Sequence, residues 1–153
     1  MSDLQAGRAQ RAHETERFLH EQIPLCQAMG VRVESFNEGR LVLTAPLEPN
    51  HNHLGTAFGG SLSALATLAG YALLWLQLED RQCHIVIRDS RIRYRHPVTG
   101  ALRASCCLPA EAEFVAFRDA LRQHGRAKLM LRVTIEEGGR SCVEFDGEYV
   151  VIR

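Results

Sequence analysis

The sequence predicts a single α+β domain in which an antiparallel β-sheet wraps around one long central α-helix. Three observations carry this. Residues 61–78 are apolar nearly all round, with Leu62, Leu65, Leu68, Leu73, Leu74 and Leu76 on every side of a helical wheel, and a helix apolar on every face is a buried one. About six further segments read as strands, mostly joined by hairpin turns, which makes the sheet largely antiparallel. The chain has 153 residues, 46% of them hydrophobic, enough for one core but not for two domains. One very apolar helix among about six strands is the composition of a sheet curled around a helix.

The elements follow in order. Residues 9–27 read as a helix, with Phe18, Leu19, Ile23 and Leu25 forming an approximate apolar stripe, broken or kinked near its end by Pro24 and punctuated by Gly30. Residues 1–29 together form an N-terminal helical segment of the domain. Val31, Val33 and Phe36 alternate with charged neighbours as a half-buried strand does, Asn37-Glu38-Gly39 is a hairpin turn, and residues 41–45 return until Pro46. A loop rich in Asn, His and Gly fills 48–60. After the buried helix come a strand over 84–96, a turn at 97–100 and a strand over 101–108 stopped by Pro109. Residues 110–123 form an amphipathic helix with Phe114, Val115, Phe117 and Leu121 on one side. Two last strands, 126–136 and 141–152, flank the hairpin signal Glu137-Gly138-Gly139-Arg140. The chain contains no repeat, low-complexity tract or linker.

Charge and cysteine content narrow the function. Basic and acidic residues number 18 each, so the net charge gives no footing for nucleic acid or an anionic membrane, and neither is expected as a partner. Lys128 is the one lysine, and clustered arginines are suited to holding phosphates through paired hydrogen bonds. The five cysteines (Cys26, Cys83, Cys106, Cys107, Cys142) are odd in number and lack a CxxC pair, which argues against a disulfide framework or a zinc site. The first 18 residues are charged and have no apolar core, so no signal peptide is expected. Residues 62–78 contain Ser63, Thr67 and Gln77 and are expected to fall short of a membrane span. A cytoplasmic, reduced protein is the expectation.

The informative stretch is 52–62, NHLGTAFGGSL, entering the buried helix. Paired glycines ahead of a helix let its first N–H groups face a ligand with no side chain in the way. The helix dipole adds partial positive charge there, which suits a phosphate or a developing oxyanion. Gly-Gly before a helix is also common loop punctuation, so this feature alone decides little.

Two stretches, NHLGTAFGGSLSALATLAG at 52–70 and IRYRHPVTGALRAS at 92–105, together with the element order, resemble the hotdog thioesterase superfamily. The nearest likeness is to the YiiD C-terminal-type thioesterases, over roughly residues 23–152. More distant are the phenylacetate-pathway and 4-hydroxybenzoyl-CoA-type enzymes. The resemblance implies a hotdog fold and a homodimer, or a dimer of dimers (homotetramer), with sheets joined edge to edge and active sites at the subunit interface. It implies an acyl-CoA or acyl-ACP substrate, coenzyme A entering only as part of that substrate, with no metal and no organic cofactor. Gly59 and Gly60 match the glycines whose N–H groups bind the thioester carbonyl, and Asn52 matches the loop asparagine that positions water or carbonyl. The chain departs from the better-known relatives twice. Phe58 stands where they have histidine, and Thr67 stands where they carry the acid. Threonine is no base at neutral pH, although it can hold a water.

The remaining candidates divide between chemistry and plain structure. Asn52 either orients substrate or closes an Asx turn. Ser61 caps the helix or contacts substrate beside Phe58. Thr67 aims a water or back-bonds to the helix. On the strand after the helix, Asp89 falls with Arg91 and Arg93 on the face opposite Ile92 and Tyr94. This points Ser90 inward and Asp89 outward unless a bulge intervenes. Arg93, Arg95 and His96 are the expected contacts for coenzyme A phosphates, against the alternative of a solvated face paired with Glu136, Glu137 or Glu144. His51 and His53 lack a third metal ligand. Cys106 and Cys107 face opposite ways, and no base stands near to activate either. The expected function is hydrolysis of an acyl thioester. The alternative is a module that binds the same ligand without turning it over. A dehydratase is disfavoured, because Phe58 and Thr67 occupy the places where its histidine and acid belong.

Overall fold

The computed structural model of the chain describes residues 2–153. Two helices, α1 (Asp3–Gln22) and α2 (Pro24–Met29), precede the hairpin of β1 (Arg32–Asn37) and β2 (Arg40–Ala45). A 3-10 turn, Glu48–Asn50, leads to α3 (Gly59–Leu78). Then follow β3 (His84–Tyr94), β4 (Leu102–Cys107), α4 (Glu111–His124), β5 (Arg126–Glu137) and β6 (Arg140–Ile152). The six strands form one antiparallel sheet in the order β1-β2-β4-β5-β6-β3.

The inner face of the sheet follows from strand alternation. Leu41, Leu43 and Ala45 on β2 stand opposite Cys106, Ala104 and Leu102 on β4. Ala127, Leu129, Leu131, Val133 and Ile135 on β5 stand opposite Val151, Tyr149, Gly147, Phe145 and Val143 on β6. All of these residues are buried, and α3 packs across them, touching β2, β3, β4, β5 and β6. The six buried leucines of α3 each contribute roughly 1.5–3 kcal/mol of transfer free energy. Burial also explains the helix's composition. With 20 residues and a mean hydropathy of 1.4, α3 is long and apolar enough to cross a membrane, contrary to the expectation from its polar residues, but here the sheet takes the place of lipid.

Several sequence expectations shift in detail. The N-terminal helix begins at Asp3, where the Ser2 hydroxyl accepts the Gln5 N–H at 3.4 Å and Asp3 sits in the positive first turn. Pro24 opens a separate helix. Its missing N–H costs nothing at the first helical position, while Ile23 before it is driven to an extended conformation with φ −126°. The spacing 31, 33, 36 on β1 is reconciled by a bulge between Val33 and Ser35, which returns Phe36 to the buried side. Both hairpin turns need left-handed residues and have them, Glu38 (φ 50°) with Gly39 (φ 74°), and Gly138 (φ 60°) with Gly139 (φ 74°). On α4, Phe114, Phe117 and Leu121 are buried as expected, but Val115 is exposed. It lies 100° from Phe114 on the wheel, outside the stripe that faces the sheet.

The two sheet edges differ. α1 covers the β1 edge, where the Val33 N–H donates to Glu16 Oε1 at 2.9 Å. The same helix stacks Phe18 on Trp75 with ring centroids 4.4 Å apart and donates from Arg11 to Leu76 O at 2.8 Å, closing the C-terminal half of α3. The β3 edge is uncovered. Val86 is 51% exposed and Tyr94 52%, and among the described residues no strand lies beyond β3 in the sheet order. An open edge strand is a template for pairing with another chain.

The cysteines separate by burial in a way labelling can read. Cys106 is buried and Cys107 exposed, as strand alternation requires. Burial pushes the Cys106 thiol up to about 12 and the Cys26 thiol to about 11. Alkylation of the native protein at pH 8 should therefore modify Cys107 first and half-buried Cys83 more slowly. Cys26, Cys106 and Cys142 should be spared until the protein is denatured. Peptide mass spectrometry checks this, and rapid native labelling of Cys106 would contradict the packing.

Candidate functional site

The strap from Pro46 to Phe58 delivers the chain to the start of α3 through a small set of hydrogen bonds. Asn50 is buried. Its amide Nδ2 donates to Met29 O at 2.8 Å and Pro46 O at 2.7 Å, and its backbone carbonyl accepts the Phe58 N–H at 2.7 Å. One residue earlier, the Ala57 N–H donates to Val98 O at 2.8 Å. Asn52 shapes the intervening loop. Its Oδ1 accepts from the N–H groups of Leu54 (2.8 Å) and Thr56 (3.2 Å), and its Nδ2 donates to Thr56 Oγ1 at 2.9 Å. Asn52 thus closes an Asx turn with every polar atom of its side chain engaged.

The helix begins without a side-chain cap. Phe58 is its N-cap residue and its carbonyl accepts the Leu62 N–H at 3.0 Å. Ser61 lies three residues further on and does not cap. The first N–H groups of a helix have no partner within it, and those of Gly59, Gly60 and Ser61 have no backbone partner elsewhere among the described residues. Two aromatic rings flank them. The Phe58 ring, 56% exposed, lies against Gly60 so closely that a Cβ there would stand 2.4 Å from its Cε1. On the other side, Tyr94 Oη donates to Gly59 O at 3.3 Å, and its ring would touch a Gly59 Cβ at an ordinary 3.6 Å. Sequence reasoning assigned Tyr94 to the core beside Ile92. It does face inward, but at the end of an edge strand it overhangs the helix start. Tyr94 and Asn50 are the site residues that the sequence reading missed. The inward parity of Ile92 and Tyr94, carried to the end of an edge strand, was the signal available for Tyr94.

Thr67 and Ser90 form a second group. Thr67 Oγ1 donates to Ser63 O at 2.9 Å, and Thr67 O accepts Tyr149 Oη at 2.7 Å. Gly60 and Thr67 are seven residues apart on one helix face, about 10 Å along the axis at 1.5 Å per residue, so one subunit does not bring them to a common atom. Ser90 stands opposite Gly147 on the inner side of β3. A bulge does occur in this strand, between Ile87 and Asp89. It precedes Asp89, which therefore stays on the outer face with Arg91 and Arg93, opposite Glu148, Asp146 and Glu144. A half-buried stripe of Ser63, Ala64, Thr67, Tyr71 and Trp75 runs down α3, with Phe18 of α1 stacked on Tyr71 and Trp75 towards its C-terminal end.

The outer face of β3 is basic. Arg95 is engaged by Glu144, Nε to Oε1 at 3.0 Å, and that contact holds the Glu144 carboxyl below the usual carboxylate range. Arg132 grips Asp146 at 2.9 and 3.0 Å, with the same effect on Asp146. Arg91 and Arg93 border a cavity of about 120 Å³ with Arg132, Glu144 and Asp146. Neither has a carboxylate within ion-pair distance among the described residues. The His96 ring is exposed, and its backbone N–H reaches Cys142 O at 3.2 Å.

Comparison with known proteins places this arrangement. The family model described as "Putative thioesterase (yiiD_Cterm)" matches residues 12–153. A protein of unknown function from Chlorobaculum tepidum TLS is 32% identical and superimposes with a TM-score of 0.89, covering 95% of this chain and 96% of its own. A putative thioesterase from Shewanella oneidensis is also 32% identical, with a TM-score of 0.84 over 95% of this chain and 99% of its own. A probable thioesterase from Pseudomonas aeruginosa is 28% identical, with a TM-score of 0.78 over 92% and 95% of the two chains. A sheet wrapped around a buried helix, a glycine pair opening that helix and this match over almost the whole chain make one statement: the protein belongs to the YiiD C-terminal thioesterase family and has the hotdog fold.

Proposed function

We propose that this chain hydrolyses acyl thioesters of coenzyme A or acyl carrier protein, as a homodimer joined along the open edge of β3. The carrying observation is the uncapped start of α3, with its free N–H groups between Phe58 and Tyr94. The Gly60 N–H, assisted by that of Gly59, polarises the thioester carbonyl and receives the charge that grows on oxygen as water adds. The tetrahedral intermediate collapses with cleavage of the C–S bond. The proton lost by water ends on the departing sulfur, leaving an acid and a thiol. Thr67 lies two turns from Gly60, so the hydroxyl that holds the attacking water comes from Thr67 of the partner subunit, with Ser90 beside it. Asn52 acts by shaping the strap. Arg93, with Arg91, is free to meet the phosphates of coenzyme A, and Arg95 and His96 border the same path. No metal or organic cofactor enters the step.

Two observations favour the second reading, a module that binds the thioester without turnover. The Asn52 Oδ1 and one N–H of its amide are engaged within its own loop, and the Thr67 hydroxyl is turned to Ser63 O. Thiol release from short, long and aromatic acyl-CoAs separates the two. Steady turnover by the wild type, with kcat/KM lower for acyl-pantetheine and falling with added salt, supports hydrolysis with phosphate recognition. Saturable binding with no thiol release across the panel would replace the enzyme with the binding module.

A further inference from the structure

The end of the β5–β6 hairpin reaches across to the turn that follows β3. Glu137, the last residue of β5, accepts from the Thr99 N–H at 3.0 and 3.1 Å, from Thr99 Oγ1 at 3.1 Å and from the Gly100 N–H at 2.7 Å. These bonds, that from the Thr99 N–H first, hold the Glu137 carboxyl below the usual carboxylate range. The contact is close enough that a Cβ on Gly100 would stand 3.3 Å from Glu137 Oε1. The clasped turn contains Val98, whose side chain is fully buried and whose carbonyl accepts the Ala57 N–H at 2.8 Å. Ala57 is the last residue before the Phe58-Gly59-Gly60 entry to α3. A continuous path of hydrogen bonds therefore runs from the carboxylate of Glu137 through residues 98–100 to the backbone that ends at the open helix start.

We infer that Glu137 is a positioning residue for the thioester site, acting through Val98 on the strap that presents Gly59 and Gly60. The inference rests on the proposed reading that the helix start receives the thioester carbonyl. Two backbone anchors set the strap at this point, Ala57 to Val98 and Phe58 to Asn50. The second is internal to the strap, whereas the first ties it to the turn after β3, and Glu137, at the end of β5, is the side-chain clasp that joins that turn to the sheet. Glu137 itself touches no reacting atom. Its loss leaves the helix dipole and the glycines in place but lets the strap shift relative to the sheet, and displacements of about 1 Å at a preorganised donor are enough to cost one to two powers of ten in rate.

The test uses the full-length protein with Glu137→Ala and Glu137→Gln, comparing acyl-CoA turnover, thermal midpoint and amide hydrogen exchange of the peptide spanning residues 49–60. With Glu137→Ala, exchange in that peptide should quicken and kcat should fall about tenfold or more with little change in KM, while the midpoint stays near that of the wild type. Glu137→Gln keeps one carbonyl oxygen to accept from the turn and should recover part of both effects. Unchanged protection of residues 49–60 in Glu137→Ala would overturn the inference, as would a loss of activity matched by a fall in midpoint and not relieved by glutamine. If the wild type releases no thiol from any acyl-CoA, the hydrolase reading fails. The exchange measurement then still decides whether Glu137 holds the strap.

Discussion

Gly60→Val should abolish thioester turnover, lowering kcat at least 100-fold, while leaving the protein folded with a thermal midpoint within a few degrees of the wild type. The activity loss follows from the geometry of the helix start. On the proposed reading, a branched side chain at residue 60 blocks the carbonyl's approach to the residue 60 N–H, and losing the use of one preorganised oxyanion donor costs on the order of 10²–10³ in kcat. Folding is spared for a separate reason. A Cβ at residue 60 would meet the Phe58 ring at 2.4 Å, but that ring is 56% exposed and swings into solvent to make room. Gly60 has ordinary helical φ, so no strain is added. Gly59→Ala is the internal control. Its Cβ would meet Tyr94 at 3.6 Å, an ordinary contact, so it should cost much less. Thiol release and a thermal melt on the two variants check the pair. Full activity in Gly60→Val would remove the helix start from the mechanism.

That contrast marks how far the sequence could be read. The buried helix, the two glycine hairpins and the inward alternation on β5 and β6 are statements about periodicity and turn chemistry, and both are local. The bulges on β1 and β3 are not local in that sense: Val31, Val33 and Phe36 read as simple alternation, and only the strand register shows the shift between Val33 and Ser35. The outward placement of Asp89 was still legible, because the β3 bulge falls before it.

The site was legible only in part. The glycine pair announced an open helix start, but the ring of Tyr94 reaches it from 35 residues away and Glu137 clasps Thr99 from 38 residues away. Pairings of that range leave no periodic trace. Hydroxyl and amide roles are equally hidden. Asn52 and Thr67 each have two chemically sound uses, and only geometry shows that in this chain Asn52 closes its own loop and Thr67 donates to Ser63 O. The arginines show the same limit. Arg95 and Arg93 look alike in the run 91–95, yet Glu144 pairs directly with Arg95, while no carboxylate lies within ion-pair distance of Arg93 among the described residues.

Ten residues further along the same helix, a glycine substitution should act in the opposite sense. Gly70→Ala should destabilise the protein by about 1–5 kcal/mol. An ideal Cβ at residue 70 would stand 2.3 Å from Tyr149 Oη and 2.5 Å from its Cζ. Unlike Phe58, Tyr149 has nowhere to go. It is fully buried, lies on the inner face of β6 opposite Leu129, and donates its hydroxyl to Thr67 O at 2.7 Å. Making room forces the ring off a packed rotamer, at about 1–3 kcal/mol. It also strands a buried hydroxyl, at about 1–3 kcal/mol more. The helical preference of alanine over glycine returns only about 1 kcal/mol. For a domain of this size each kcal/mol moves the thermal midpoint by about 2–4 °C, so the shift is large enough for a urea titration or a melt at fixed protein concentration to resolve. A second substitution isolates the cause. Tyr149→Leu removes the ring that the new methyl meets, so Gly70→Ala/Tyr149→Leu should be more stable than the sum of the two single changes by at least about 1 kcal/mol. If Gly70→Ala alone stays within about 0.5 kcal/mol of the wild type, as surface substitutions usually do, the close approach of Tyr149 to the helix is not what requires glycine there.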